Sequence, residues 1–458
     1  MPIKKLEKPF ILLLLSVTLA SQCFIKVTPH VVLLVGILVL LAYGIAKKVA
    51  WGTLEQYMVD GIFQAFVPML ILSMIGILVG VWMLSGTIPT ILYYGLQYIS
   101  PRWYYVSCVI FCLLASSFNG SCVATISTVG VALIGVAEGL GLPLPIAAGA
   151  IVSGACFGDK CSPLSETTNL APGILNVDLY VHVKHLFWTT VPALFLTLAI
   201  FGYLGIHTEQ TNIAHIAAMS DTLETHFNVS SLTLLSPLLV LLLSMRKVPA
   251  LATFILGIVS GLVTAALVQQ NLDLPQWAEV VQNGFTLESG DRLVDKLVSR
   301  GGLQSMMGSL SLVSIALAFG GLLNGLELTK YLLNTFASNL KTRGWATLAA
   351  SFSCVAINFL SGEQYLSIIL PGKTFEKHFR DHGIPLKNLS RTLEDCGTLV
   401  NPLVPWGVCG AFFYGALRVS VLEYAPYAFF LYLCPLFTVL LGFFNIDNSS
   451  LKTSHNPS

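Results

Sequence analysis

Residues 158–173 read GDKCSPLSETTNLAPG. Three charges, Asp159, Lys160 and Glu166, stand among hydroxyls and prolines directly after residues 139–158, a stretch with no charge at all. Across the 458 residues only 10% are charged and 55% are hydrophobic, and the mean hydropathy is +0.78. That lies outside the range of a soluble globular chain. Charge-free windows recur at 61–101, 103–137, 139–158, 186–206, 248–272, 301–326, 396–417 and 424–446. At roughly 20 residues per crossing the chain holds about eleven to thirteen hydrophobic segments, some of them re-entrant. The fold class expected is an all-α polytopic membrane protein, and the charges at 159–166 then need a reason.

The rest of the composition narrows the classes. Net charge is +1 with no long basic or acidic tract, which gives no support to a nucleic-acid partner. The ten cysteines lie mostly in apolar windows, without CxxC pairs or zinc spacing, and read as free buried thiols. The start, MPIKKLEKPFILLLLSVTLASQCF, resembles a signal peptide, but Gln22 precedes Cys23 and a second apolar run follows at 31–46. An uncleaved first transmembrane helix is expected. Its N-terminus is placed in the cytoplasm, because Lys47 and Lys48 follow the second helix on the same side as Lys4, Lys5 and Lys8.

Two halves carry the same script. GSCVAT at 120–125 and GEQYLS at 362–367 share the form G-polar-x-x-x-[ST], 242 positions apart, and SPL at 162–164 has a counterpart in NPL at 401–403. Asp60-Gly61 through Ser85-Gly86 resembles Arg300-Gly301 through Asn324-Gly325, and the apolar pairs 10–46 and 231–270 open the halves. The division expected is a first repeat with N-terminal helices at 1–205, a polar linker at 206–230, a second repeat at 231–445 and a disordered tail at 446–458. If each half crosses the membrane an odd number of times, the repeats are inverted and a substrate site lies at their interface near the midplane.

Both halves interrupt their helices, at Gly158, Pro163, Pro172 and Gly173 and at Gly397, Pro402, Pro405 and Gly407. Broken helix is tolerated inside a membrane only where protein or a water-filled cavity satisfies the backbone, and proline frees carbonyls that can ligate a cation. Ser162, Ser165, Thr167, Thr168 and Asn169 add neutral oxygens, with Thr125, Gln364, Ser367 and Asn401 at the partner motifs. Asp159 and Glu166 add charged oxygens, and the all-oxygen set suits a hard cation such as Na⁺. Glu363 is the only charged residue between Gly344 and Gly372. A carboxylate there costs on the order of 2.5–3.5 kcal/mol, which marks a functional position where a proton and a cation compete. Asp159, Glu166 and Glu363 are the carboxylates expected to hold Na⁺. The bland reading is a polar surface loop with Lys160 paired to a nearby acid.

Arg391, Glu394 and Asp395 stand at i, i+3 and i, i+4, which suits a structural clamp and a proton relay equally. The charged stretch with His378 and His382 reads as a solvated cytoplasmic face, and His182 and His185 as interfacial. Asn119 and Asn358 precede the two repeated glycine motifs and either ligate an ion or cap a helix. No Walker A sequence or HExxH occurs.

Taken together, GDKCSPLSETTNLAPG, AAGAIVSGACF before it, HLFWTTVPA after it, SRGGLQSMMGSLSL, GEQYLSIILPGK, NLSRTLEDCGTLVNPLVPWGVCGAF and YAPYAFF resemble the NhaC-type sodium:proton antiporters, a family that includes malate/lactate exchangers. The resemblance covers roughly residues 50–445. It implies two inverted repeats with re-entrant hairpins, a dimer, an elevator-like movement, an inner-membrane location and no cofactor beyond the transported Na⁺ and H⁺. It implies Asp159, Ser162, Ser165, Glu166, Thr167, Thr168 and Asn169 in a first-half site with Glu363, Gln364 and Ser367 opposite. The chain departs from the family's pattern at SCVAT (121–125), where a bulkier Thr-Ser-Trp-Gly-Thr run is expected. It departs again at Gly407 and Val408 in place of Asn-Thr, and at Glu363 in place of Asp.

Exchange of Na⁺ for H⁺ across the inner membrane is the leading function. Coupled exchange of a small organic acid or amino acid is the alternative, favoured by the volume missing at 122–124 and 407–408. An enzyme is not expected, since no histidine lies in the broken segments to activate a serine or cysteine, and a passive channel would not need two matched hairpins.

Overall fold

In a bilayer each segment must satisfy its own backbone N–H and C=O groups, and an α-helix does so internally. The computed structural model describes residues 7–17, 28–208, 213–246, 248–290, 292–337 and 342–444, and among these every regular element is helical. Seven of the described helices are long and apolar enough to cross a membrane, and four sharply bent helix pairs raise the number to as many as eleven. The protein is a polytopic all-α membrane protein.

The two halves repeat one order of elements. In the first, helices Phe66–Leu84 and Thr87–Tyr98 lead to α1 (Tyr104–Asn119), α2 (Cys122–Gly139), α3 (Leu144–Cys161), α4 (Glu166–Leu175) and α5 (Leu179–Ile206). In the second, Met307–Gly325 and Leu328–Phe336 lead to α6 (Arg343–Ser361), α7 (Gln364–Asp381), α8 (Leu386–Leu393), α9 (Val408–Leu417) and α10 (Phe429–Phe444). The turns that separate α1 from α2 and α6 from α7 share one device. Gly120 and Gly362 end their helices in the left-handed region, with φ of 70° and 68°.

Helix α5 shows which solvent the chain is built for. It buries His182, His185, Thr189, Thr190 and Thr197 while exposing Phe187, Trp188, Val191, Phe195 and Tyr203. The polar side chains face the protein and the apolar ones face outward, as lipid requires.

The stretch 206–230, read as a polar linker, includes the helix Ile213–His226, and Met219, Leu223 and Phe227 join the main hydrophobic core. Met219 and Leu223 in the helix, with Phe227 just beyond its end, are spaced four apart and seat on the core along one face. Glu7 pairs with Lys47, which sets residue 7 and the end of helix Pro29–Ala46 at one face. The tail 446–458 lies outside the described residues.

Candidate functional site

Helix α3 ends because Pro163 disfavours helical backbone at Ser162, which is extended (φ −78°, ψ 127°). Asp159 and Lys160 therefore occupy the last turn of a helix that stops in the protein interior. The Asp159 carboxylate accepts a hydrogen bond from Ser165 at 2.7 Å, and the Ser165 hydroxyl lies 3.1 Å from that of Thr167. Other hydroxyls and amides of the break satisfy the backbone it frees. Thr168 donates to the carbonyls of Asp159 and Lys160 at 2.8 and 2.9 Å, Asn169 to those of Pro163 and Ser165, and Ser162 to that of Ser117.

The second half uses equivalent positions differently. Position 121 corresponds to 363, 242 later, and the matched SPL and NPL motifs set Ser162 against Asn401, 239 later. Ser121 and Glu363 both cap the helix that follows: Ser121 accepts from the N–H of Ala124 at 3.2 Å and Glu363 from that of Leu366 at 2.7 Å. Asn401, in the place of Ser162, donates to Asn358 at 3.0 Å and to the carbonyl of Gly362 at 3.1 Å, and it accepts from the N–H of Cys409 at 2.8 Å. Each half thus contributes one buried carboxylate, the first at its helix break and the second at its helix cap.

These two carboxylates line one cavity of about 530 Å³ between the broken segments and the helices Phe66–Leu84, Leu235–Met245 and Ala250–Val268. The first half adds Asn119, Cys122, Ser165, Glu166, Thr167 and Asn169 to the wall, and the second adds Gln364, Tyr365 and Cys409. Thr125, Ser162, Thr168, Ser367 and Asn401 lie outside this lining; Thr125 accepts from Asn119 at 3.1 Å, and Ser367 donates to the carbonyls of Gln364 and Gly397. Asp159, Glu166 and Glu363 do not close on one point. Among the described residues no three His, Cys, Asp or Glu side chains gather to hold a single ion, and Glu166 is drawn aside by the Tyr365 hydroxyl at 2.6 Å. Tyr365, Cys122 and Cys409 are lining residues that sequence reasoning passed over, since a lone aromatic or thiol in an apolar run carries no signal of its own.

Behind the cavity lies a second polar layer. Lys160 is fully buried and donates to Thr190 at 2.7 Å and Thr189 at 3.2 Å, while its ammonium pairs with Asp395. The other Asp395 oxygen accepts from Thr438 of α10. Arg391 lies 3.1 Å from His185, which is 2.7 Å from Asn388, and Ser390 lies 2.7 Å from His182. Glu394 and Asp395 begin a five-residue π-helical turn, Glu394–Thr398, that continues α8. Such turns are frequent at functional sites. The layer joins the last turn of α3, α5, α8 and α10, and its cations Lys160 and Arg391 are both buried.

Comparison with known proteins adds three relatives and a family. A sequence profile described as the Na⁺/H⁺ antiporter family matches residues 154–446. The Na⁺/H⁺ antiporter NhaC of Alkalihalophilus pseudofirmus is 48% identical over 97% of this chain and 97% of its own. The Na⁺/H⁺ antiporter NhaC of Bacillus subtilis is 40% identical over 96% and 98%. The malate-2H⁺/Na⁺-lactate antiporter of Bacillus subtilis is 32% identical over 94% and 92%.

Proposed function

The chain belongs to the Na⁺/H⁺ antiporter family, and from that premise we propose that it exchanges Na⁺ for H⁺ by competition at two buried carboxylates, Asp159 and Glu363. The observation that carries this reading is that both side chains, one from each half, line the same cavity. A carboxylate in such a place binds either a proton or a hard cation, and binding one displaces the other. Neutral oxygens around Asp159 and Glu363 replace part of the hydration shell of Na⁺. Ser121, Ser165 and Glu363, each at the start of a helix, line the cavity, and helix N-termini suit negative charge before the ion arrives. In this reading the protein is a secondary transporter and not an enzyme, works as a homodimer, and sits in the cell inner membrane with its N-terminus in the cytoplasm. The lysines at 4, 5, 8, 47 and 48 support that orientation.

One observation favours a second reading. The cavity, at about 530 Å³, falls among small-molecule sites of roughly 300–1,000 Å³ and far exceeds what a dehydrated cation needs. A small organic acid or amino acid has room to travel with the ions.

Reconstitution in liposomes with an internal pH dye tests both. Na⁺ alone driving proton movement supports cation exchange; a response that requires malate, lactate or an amino acid moves the assignment to the second reading. Li⁺ and K⁺ in parallel define the cation.

A further inference from the structure

A second cavity, of about 790 Å³, opens at the end of the helix Pro29–Ala46, which is long and apolar enough to cross a membrane. Three parts of the chain build it. Glu7 and Lys8 come from the helical stretch 7–17, Tyr43 and Lys47 from the end of Pro29–Ala46, and Glu327 and Tyr331 from the turn between Met307–Gly325 and Leu328–Phe336. Val49 and Leu326 make the wall partly apolar. The exchange at Asp159 and Glu363 uses none of these residues. Lysines and tyrosines gathered at the end of a membrane span stand at the depth of lipid headgroups.

Charge decides which headgroup fits. The lining holds two cations, Lys8 and Lys47, and two carboxylates, Glu7 and Glu327, so it carries no net charge. Glu7 and Lys47 pair with each other, and the Lys47 ammonium also stands 5.5 Å from the centre of the Tyr43 ring. One ammonium and one carboxylate are left, on different parts of the chain. The Lys8 ammonium stands 5.8 Å from the centre of the Tyr331 ring, and among the described residues no carboxylate pairs with it. Glu327 meets Lys330 at 3.8 Å with the two side chains 65% and 71% exposed, a contact that contributes little and leaves the carboxylate available. An anionic headgroup drawn to Lys8 is repelled by Glu327, and an uncharged one leaves both groups unused. A zwitterion uses both.

We propose that this cavity binds a zwitterionic phospholipid whose headgroup ends in a primary amine, of the phosphatidylethanolamine class, with its phosphate at Lys8 and its ammonium at Glu327. A primary ammonium donates charge-assisted hydrogen bonds to a carboxylate, which the trimethylammonium of a choline headgroup cannot do. Leu34, Leu38 and Ile45, exposed on the helix Pro29–Ala46, offer apolar surface to the acyl chains. The bound lipid ties the N-terminal helices to the turn at 325–331 in the second half.

The test is thermal unfolding of the purified full chain in detergent with short-chain phosphatidylethanolamine, phosphatidylcholine, phosphatidylglycerol or soluble phosphoethanolamine added at matched concentrations. A ligand that binds only the folded protein raises the unfolding temperature as its concentration rises. Phosphatidylethanolamine is expected to give the largest shift in wild type. The concentration that gives half of that shift should rise about fivefold in Lys8→Gln and in Glu327→Gln, and stay near the wild-type value in Lys8→Arg. Equal shifts from the three lipids in wild type overturn the proposal, and so does an undiminished phosphatidylethanolamine shift in both glutamine variants. A preference for phosphatidylglycerol overturns it in favour of an anionic-lipid site, and a full shift from phosphoethanolamine alone removes the membrane lipid as the occupant. Native mass spectrometry of wild type equilibrated with equal amounts of the three lipids needs no variant. Adducts of phosphatidylethanolamine should dominate, and equal adducts overturn the proposal.

Discussion

Lys160 in the first half and Asp395 in the second form an ion pair with a nitrogen–oxygen distance of 2.5 Å and no exposure of either side chain. They are 235 positions apart in the chain, and the pair joins the broken helix α3 to the turn that extends α8. The polar-loop reading of Lys160 therefore does not describe it: the ammonium is buried, and its donors go to Asp395, Thr189 and Thr190. Removing one partner strands the other charge. Lys160→Met or Asp395→Asn is expected to lower stability by about 3–5 kcal/mol. Fluorescence-detected thermal unfolding in detergent measures it. Lys160→Met combined with Asp395→Leu should recover most of the loss, because a buried pair replaced by apolar side chains of similar volume is often neutral.

Asp159 and Glu363 are predicted to be the two positions where neutral isosteres stop exchange without unfolding the protein. Each loses a charge-assisted contact to the ion worth about 1.5–3 kcal/mol, or roughly 10- to 150-fold in Na⁺ affinity. Glu363→Gln keeps an oxygen to accept from Leu366, so the cap on α7 survives. Sodium-driven proton flux in proteoliposomes, set beside the amount of folded protein, separates the two effects. Full flux in both variants would remove the site assignment.

Much of this arrangement was legible in the sequence, and the part that was not has a physical reason. Gly120 and Gly362 announce matched turns because only glycine enters the left-handed region freely, and Pro163 and Pro402 mark matched breaks. Asp159 and Glu363 stand out by charge in apolar surroundings. That an acid at the break of one half and an acid at the cap of the other meet at one cavity shows only in the fold. The helix at 213–226 was hidden by polar composition, although Met219, Leu223 and Phe227 already had helical spacing. The partner of Lys160 could not be read from the chain. Nothing in the RTLED stretch distinguishes Asp395 from Glu394 until a turn with widened hydrogen-bond spacing directs one toward Lys160 and sets the other beside the hydroxyls of Thr398 and Thr167.

Glu166 is predicted to matter far less than Asp159, seven positions before it. Its carboxylate accepts from the Tyr365 hydroxyl at 2.6 Å, and both residues are exposed. An exposed contact of this kind is worth about 1 kcal/mol or less, so Tyr365→Phe or Glu166→Gln should change the KM for Na⁺ by less than about fivefold. A loss as large as that of Asp159→Asn would place Glu166 on the ion.

Gly362 is predicted to resist every side chain. A Cβ there would stand 2.9 Å from the carbonyl oxygen of Trp406, and the backbone φ of 68° is one that other residues adopt only at a cost of about 1–2 kcal/mol. Gly362→Ala should therefore lower the unfolding temperature and displace the Glu363 cap. Flux per folded molecule should fall, which distinguishes a moved carboxylate from a smaller population of intact protein.

Competition at the carboxylates fixes the sign of the pH dependence. A protonated carboxyl cannot ligate Na⁺, so lowering the pH removes binding sites and raises the apparent KM for Na⁺, whereas raising the pH lowers KM until every competing proton is gone. Each proton displaced on binding contributes up to about a tenfold change in KM per pH unit. The slope of log KM against pH therefore counts the protons in competition, and it should be shallower in Glu363→Gln than in wild type by the share that Glu363 contributes. Initial rates of sodium-driven proton flux, measured over a pH series with the gradient held constant, provide that slope. A KM that does not vary with pH, while the maximal rate does, would mean that proton and cation bind independently. The two carboxylates in one cavity would then have to be explained by a role other than exchange.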